Sequence, residues 1–389
     1  MATAVTITGS ANATNTLYFN TPQTLGLAQQ IANVINGASY PNAINFPGPF
    51  TSIAGATNQQ VVTVGSGAGP YVGEAGFGFL VNAETTAVTL VGAANQTVLS
   101  GNAGTTFVSG GGDTFITGGG NNEVFLSGSN NLIYLADGSN TVVGGADAGD
   151  TISAGVGATT MFGSSAGSLV FFANSVGGST DFISAGGADT LIGGAGDGTV
   201  FGGANAATVF GNTGSMQIVV GAGGVDFISG SGATSVFGGA GQATLFGGAS
   251  GSDITFSGSS GSALYMAGTG NETLNAAGSS GNNTMYGSSG TQVLIGGSGA
   301  DTFVGSTGAA TMTGGAGSDV FAFFTGNSGG TDVIADFTSK DLVLLSGYGS
   351  GAITNSVVSG GSTTITLTDN TQITFSGVTN LNMNQIIKT

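Results

Sequence analysis

The chain has 389 residues, of which 40% are apolar, only 5% are charged and 77 are glycine. Glycine at this level without a strict three-residue period excludes collagen, and high apolar content with little charge argues against a disordered chain. Two lysines, no arginine and a formal net charge of −17 leave no basic patch for phosphates, which excludes nucleic acid and anionic membrane surfaces as partners.

The N-terminal stretch MATAVTITGSANATNT has neither the basic start nor the apolar core of a secretory signal peptide. No run of about 18 apolar residues follows anywhere, so no membrane insertion is expected. Residues 1–96 lack the short rhythm that dominates the rest. Within them, TPQTLGLAQQIANVING (21–37) predicts one amphipathic helix. Thr21 is its candidate N-cap, Pro22 takes the first helical position and Gly37 closes it. Leu27, Ala28, Ile31, Val34 and Ile35 share one face. Residues 1–96 are expected to form a cap or docking module, because open ends of stacked strands recruit other chains.

From about residue 97 to 328 a short unit recurs: a Thr, two apolar residues, a small residue and a Gly-rich turn. ADTLIGGAG (188–196), ATVFGNTG (207–214) and ATLFGGAS (243–250) are examples. Taking the first apolar residue of each unit as its marker gives, among others, Phe107, Phe115, Phe125, Tyr134, Leu191, Val209, Leu245, Thr255, Phe303 and Phe321. The steps between successive markers centre on nine residues. Each unit reads as a short strand and a tight turn, and two units make one coil of about 18 residues with two facing sheets. One strand cannot bury its apolar side alone, but stacked strands share a core. The predicted fold is therefore all-β: a parallel β-roll or β-solenoid of nine-residue arms, with a small mixed N-terminal cap containing one helix and a C-terminal β-hairpin cap.

If the markers point inward, their neighbours point outward. The residue before the marker is often Thr and the one after it is often large and apolar. Phe201, Phe210, Phe237, Phe246 and Phe256 would then form outward stripes suited to self-association. The alternatives are that these residues face inward instead of the markers, or that a wider coil buries both.

Two turns stand out, GGSGAD at 296–301 and GGAGSD at 314–319. Their spacing is 18 residues, one coil, so Asp301 and Asp319 should be neighbours on one edge, with Ala310 on the other. Each turn resembles the RTX nonapeptide G-G-x-G-x-D-x-U-x, and the likeness extends in degenerate form over roughly residues 97–340. The resemblance implies a calcium-binding parallel β-roll. A hard cation wants six or more oxygens. The expected donors are the turn residues Gly296, Ser298, Ala300, Gly314, Ala316 and Ser318 with the carboxylates of Asp301 and Asp319. Asp253 and Glu272 form a second candidate pair at the same offset within one residue. Isolated acids such as Asp113, Glu123, Asp150 and Asp189 read as turn formers.

GGTDVIADFTSKDLVLLSG (329–347) is similar to the segment that closes many RTX proteins and clusters Asp332, Asp336 and Asp341, of which Asp332 and Asp336 are further metal candidates. TTITLTDNTQITFSGV (363–378) reads as a hairpin around a DN turn. The resemblance makes residues 329–389 a C-terminal cap with an uncleaved type I export signal, and so an extracellular or cell-surface protein.

Catalysis is not expected. Histidine, cysteine, arginine and tryptophan are absent, both lysines lie near the C-terminal end, and the acids sit in metal-type turns. The reading that remains is a secreted structural protein that associates with itself into a filament, surface layer or biofilm matrix, with calcium assisting its folding. The alternative is a secreted calcium-dependent adhesin or a surface-, ice- or sugar-binding module with cell-surface glycans as partners.

Overall fold

The computed structural model describes residues 3–8, 14–19, 22–37, 44–45, 60–64, 70–73, 77–82 and 86–389, except 102–103, 174–175, 185, 249–253, 258–259 and 328. The chain divides into two compact units, Met1–Thr199 and Val200–Thr389. The fold is a parallel β-solenoid with about 18 residues per coil, one N-terminal helix and antiparallel hairpin strands near the C-terminus.

In the first unit, from Val88 onward, strands of three to four residues pair in parallel with the strand one coil away. Phe115 pairs with Ile133, Ile133 with Ile152, Ile152 with Phe171 and Phe171 with Leu191. All five are fully buried, so this column is the core side of one sheet. The second sheet supplies Phe107, Val124, Val142, Met161 and Phe182, equally buried. The two columns meet face to face. Phe107 stacks on Phe115 with ring centroids 4.5 Å apart, and Phe171 on Phe182 at 6.3 Å. Each such ring contributes roughly 1.5–3 kcal/mol through burial.

The parallel ladder starts upstream of residue 97. Gln60–Val64 pairs with Phe77–Asn82, which pairs with Thr97–Ser100. Residues 1–96 therefore contain coils as well as the predicted cap. The cap is an antiparallel hairpin, Thr3–Thr8 with Thr14–Phe19, plus the helix Pro22–Gly37. Pro22 opens the helix as expected, while Thr21 and the side chains of Val34 and Ile35 lie outside the described residues. The helix buries Thr24, Ala28 and Ala32, one stripe at i, i+4 spacing, with Leu25, Leu27 and Ile31 flanking it.

This cap lies on the outer face of the first sheet. Val81, Leu99 and Ile116 point away from the coil interior yet are at most 1% exposed, because Val5, Ile7, Leu17, Phe19 and the helix cover them.

The second unit repeats the plan. Val209, Phe227, Leu245, Tyr265, Met285, Phe303, Phe321 and Val343 form one buried column in continuous register. The predicted hairpin is present: Ser362–Leu367 pairs antiparallel with Gln372–Phe375, and Asn370 of the DN turn has φ 69°. Ile353–Ser359 adds a further antiparallel strand, while Thr331–Ile334 and Leu342–Ser346 continue the parallel ladders.

The inward–outward alternation holds for most units and slips by one residue in four. At the markers Phe125, Tyr134, Val219 and Thr255 the inward side chains are instead Val124, Ile133, Ile218 and Phe256. In LIY the neighbours are of similar hydrophobicity and a period of two cannot choose between them, whereas in EVF, MQIV and ITFS the polar Glu123, Gln217 and Thr255 mark the outward side and the marker sits on an outward position. Phe256, expected outside, is therefore a core residue at 2% exposure, with Ser257 further along the same strand. Phe201, Phe210 and Phe237 are outward and 36–45% exposed, and Phe246 is outward and half-buried.

Candidate metal centre

Each strand is preceded by one inward position at the end of its turn, the place of Asp in the GGxGxD pattern. In the second unit one column of these positions runs Asn283, Asp301, Asp319, Asp341, as the adjoining strand registers dictate. Asp301 and Asp319 are thus stacked neighbours. Ala310 stands in the other column with Gln292 before it and Asp332 after it. The carboxylates are buried: Asp301 and Asp332 are 0% exposed and Asp319 is 1% exposed.

These side chains form a ladder with the backbone. The N–H of Asn283 donates to Asp301 Oδ1 at 2.6 Å, that of Asp301 to Asp319 Oδ1 at 2.8 Å, and that of Asp319 to Asp341 Oδ1 at 3.0 Å. Ala310 N–H donates to Asp332 Oδ1 at 3.0 Å. One oxygen of each acid thus satisfies a backbone donor in the preceding coil that would otherwise be buried without a partner.

The second oxygens differ. Asp301 Oδ2 accepts from Gly297 N–H at 2.8 Å, and Asp341 Oδ2 accepts from the N–H and hydroxyl of Thr338. Asp319 Oδ2 and Asp332 Oδ2 are buried and have no hydrogen-bond partner. An unpartnered buried carboxylate oxygen calls for a proton or a cation. Burial raises Asp319 to about 6, with the negative charges of Asp341, Asp301 and Asp336 adding to it. Asp332 rises to about 7 through burial alone, partly offset by the Ala310 N–H.

The turn around Asp319 is shaped to its carboxylate. A Cβ added at Gly314 would lie well inside van der Waals contact of Asp319 Oδ2, and one at Gly296 would press on Asp301 Oδ2 and on the Gly314 carbonyl. Gly315 has φ +91°, which side chains rarely adopt. Across the next coil, Asp336 receives the N–H groups of Gly314 and Gly315 on its two oxygens, each at 2.8 Å. Ser298, Ala300, Ala316 and Ser318 lie on the exposed side of their turns. The N–H groups of the first three bond to the preceding coil.

Among the described residues no three acidic side chains converge tightly enough to hold an ion by themselves. A cation here would draw on turn carbonyls together with Asp319 Oδ2, oxygen donors that suit calcium. Asp253 lies outside the described residues. Glu272 serves another purpose. It is 2% exposed, accepts from Tyr265 O–H at 2.7 Å and from Gly268 N–H at 2.9 Å, and pairs with Gln292 in the column opposite Asp301. Glu123 is exposed on an outward position rather than in a turn.

The same inward position is filled by Asn122, Asn131, Asn140 and Asn283, all at most 2% exposed, whose roles the acid-centred sequence reading does not assign. The signal was present in the sequence: GGGNN, GSNN, DGSN and SGNN each place an Asn at the turn's end.

A parallel β-roll with Asp-closed glycine turns is the architecture of a calcium-type repeat. The model of the RTX calcium-binding nonapeptide repeat (4 copies) matches residues 107–142, 177–215, 266–303, 277–311 and 295–323, together about a third of the chain. The chain carries RTX calcium-binding nonapeptide repeats. Comparison with curated proteins gives no significant match. Proteins with such repeats are generally exported by the type I route. No described helix is long and apolar enough to cross a membrane.

Proposed function

We propose that this chain is a secreted, non-enzymatic structural protein that associates with itself through an outward sheet face, with calcium completing the acidic turns of its C-terminal part. The observation that carries the reading is an unbroken outward apolar column in the second unit. Phe210, Ile228, Phe246, Met266, Tyr286 and Val304 stack one per coil. Phe210, Ile228, Met266 and Tyr286 are each 36–41% exposed. Monomeric proteins rarely display contiguous apolar stripes of this kind. Within the first unit the chain already buries the corresponding column: Val81, Leu99 and Ile116 lie beneath the hairpin and helix. Such a face is therefore competent to pack against another surface. The five phenylalanines proposed from sequence do not form one patch, since Phe210 and Phe246 share this column, Phe237 belongs to the opposite sheet and Phe256 is internal.

Export by the type I route fits this role, and so does an acidic chain that folds on meeting external calcium. The test is assembly. Light scattering and electron microscopy of the full chain in millimolar calcium should show growth with concentration, and Phe210→Glu with Phe246→Glu should suppress it without loss of circular dichroism. A parent chain that stays monomeric over a wide concentration range would overturn the proposal.

A further inference from the structure

The glycine turns come in two electrical forms, set by the inward residue. Where that residue is Asn, turn carbonyls point at it. Asn122 Nδ2 donates to Gly120 O at 3.0 Å, Asn131 Nδ2 to Gly128 O at 3.0 Å and Ser127 O at 3.2 Å, Asn140 Nδ2 to Gly138 O at 3.1 Å and Ala136 O at 3.2 Å, and Asn283 Nδ2 to Gly281 O at 3.2 Å. Where it is Asp with both oxygens satisfied, turn N–H groups point at it, as Gly110 does at Asp113 and Gly297 at Asp301. Asp150, Asp319 and Asp332 follow neither form, since their second oxygens face no donor.

The orientation of the Asn amides is fixed by their surroundings. Each Oδ1 receives a backbone N–H from the preceding coil: Thr105 to Asn122, Asp113 to Asn131, Asn122 to Asn140 and Ala263 to Asn283. The other end of each amide must then be the NH2 group. At 122, 131 and 283 it reaches a turn carbonyl and the side-chain oxygen of the following coil, and at 140 it reaches two turn carbonyls. Asn122 Nδ2 lies 2.8 Å from Asn140 Oδ1, Asn131 Nδ2 2.9 Å from Asp150 Oδ1, and Asn283 Nδ2 2.9 Å from Asp301 Oδ1. A positive group that bridges turn carbonyls of one coil to an oxygen of the next is what a cation in this position would supply.

We propose that the Asn side-chain amides at 122, 131, 140 and 283 do a bound cation's work, so that their turns close without metal, and that calcium dependence is confined to the turns of Asp150, Asp319 and Asp332. The roll then contains metal-free turns at the Asn positions and cation-requiring turns at Asp150 and near its C-terminal end, although both kinds lie in or beside segments matching the calcium-binding repeat. A neutral amide also needs no counter-charge, which suits a chain with two cationic side chains in all. The cation half of this inference rests on calcium being the ion of the proposed function. The amide half does not.

The experiment is hydrogen exchange on the monomeric full chain at low concentration, with chelator or with millimolar calcium, so that assembly does not enter. Peptides spanning 120–143 should change less than about twofold, and those spanning 314–341 should gain about tenfold in protection with calcium. Asp319→Asn should give 314–325 more protection in chelator and remove much of the calcium gain there. Asn131→Asp, which puts a carboxylate against the Ser127 and Gly128 carbonyls, should lose protection in chelator and recover it with calcium. Equal calcium responses in 120–143 and 314–341 would overturn the division. An Asn131→Asp chain as protected in chelator as the parent would overturn the role of the amide, whatever calcium does elsewhere.

Discussion

Asp332 offers a sharp test of how the acidic turns are held. Its carboxyl is fully buried, with one oxygen on the Ala310 N–H and the other without a partner, and burial raises it from the ordinary 3.8 to about 7. The folded group therefore binds its proton more tightly than the unfolded one. Between about pH 4 and pH 7 folding takes up a proton, so metal-free stability falls as pH rises through that window and levels off above it. A shift of this size corresponds to at most about 4 kcal/mol at about 1.4 kcal/mol per unit, and local relaxation brings the expected value to about 2–3 kcal/mol. Asp332→Asn keeps the acceptor for Ala310 and removes the ionisation. In chelator it should raise stability by about 2–3 kcal/mol at pH 8 and by less than about 0.5 kcal/mol at pH 4. Urea denaturation followed by circular dichroism at the two pH values measures this. A variant no more stable than the parent at pH 8, or equally stabilised at both, would refute the argument that the charge is the cost.

Other outcomes follow from the same geometry. Asp319, raised to about 6 by burial and its acidic neighbours, adds to the loss of metal-free stability between about pH 4 and pH 6, and millimolar calcium should flatten that loss by replacing the proton, as parallel melts with and without chelator would show. Gly314→Ala, whose Cβ would collide with Asp319 Oδ2, should destabilise the chain by about 1–3 kcal/mol and weaken calcium binding measured by isothermal titration. Phe303→Ala, which removes a fully buried ring stacked 5.1 Å from Phe321, should cost about 3–5 kcal/mol in denaturant titration. Leu99→Asp, beneath the N-terminal hairpin and helix, should release them to proteolysis while leaving the buried Val98 column protected.

The coil was legible because its physics repeats. Glycine turns every nine residues and one inward apolar residue per strand are enough to place Asp301 beside Asp319 and Ala310 in the other column. What was not legible depends on contacts that pattern does not encode. The inward side of LIY was ambiguous because adjacent residues could equally fill the core. Glu272 looked like a turn acid, but Tyr265, seven residues earlier, takes its carboxylate inside the coil. The Asn ladder was visible as a recurring residue. Its meaning required knowing which turns present carbonyls and which present N–H groups, and that polarity is a property of backbone conformation.

The turn polarity also bears on why so acidic a chain tolerates buried carboxylates at all. A buried acid usually demands a cation, and this chain has two lysines and no arginine. The ladder supplies a different answer. Backbone N–H groups of the preceding coil solvate one oxygen at Asp113, Asp150, Asp189, Asp301, Asp319, Asp332 and Asp341. Each acid thus satisfies a donor that a parallel stack leaves at the start of its strand, so acids and strands support one another without side-chain cations. The arrangement holds only while the second oxygen is also met. At Asp113, Asp301 and Asp341 the turn bends an N–H toward it, and at Asp189 Ser184 donates its hydroxyl. At Asp150, Asp319 and Asp332 nothing in the fold does so, and there the chain's own hydrogen bonds stop short of what a metal-free roll requires.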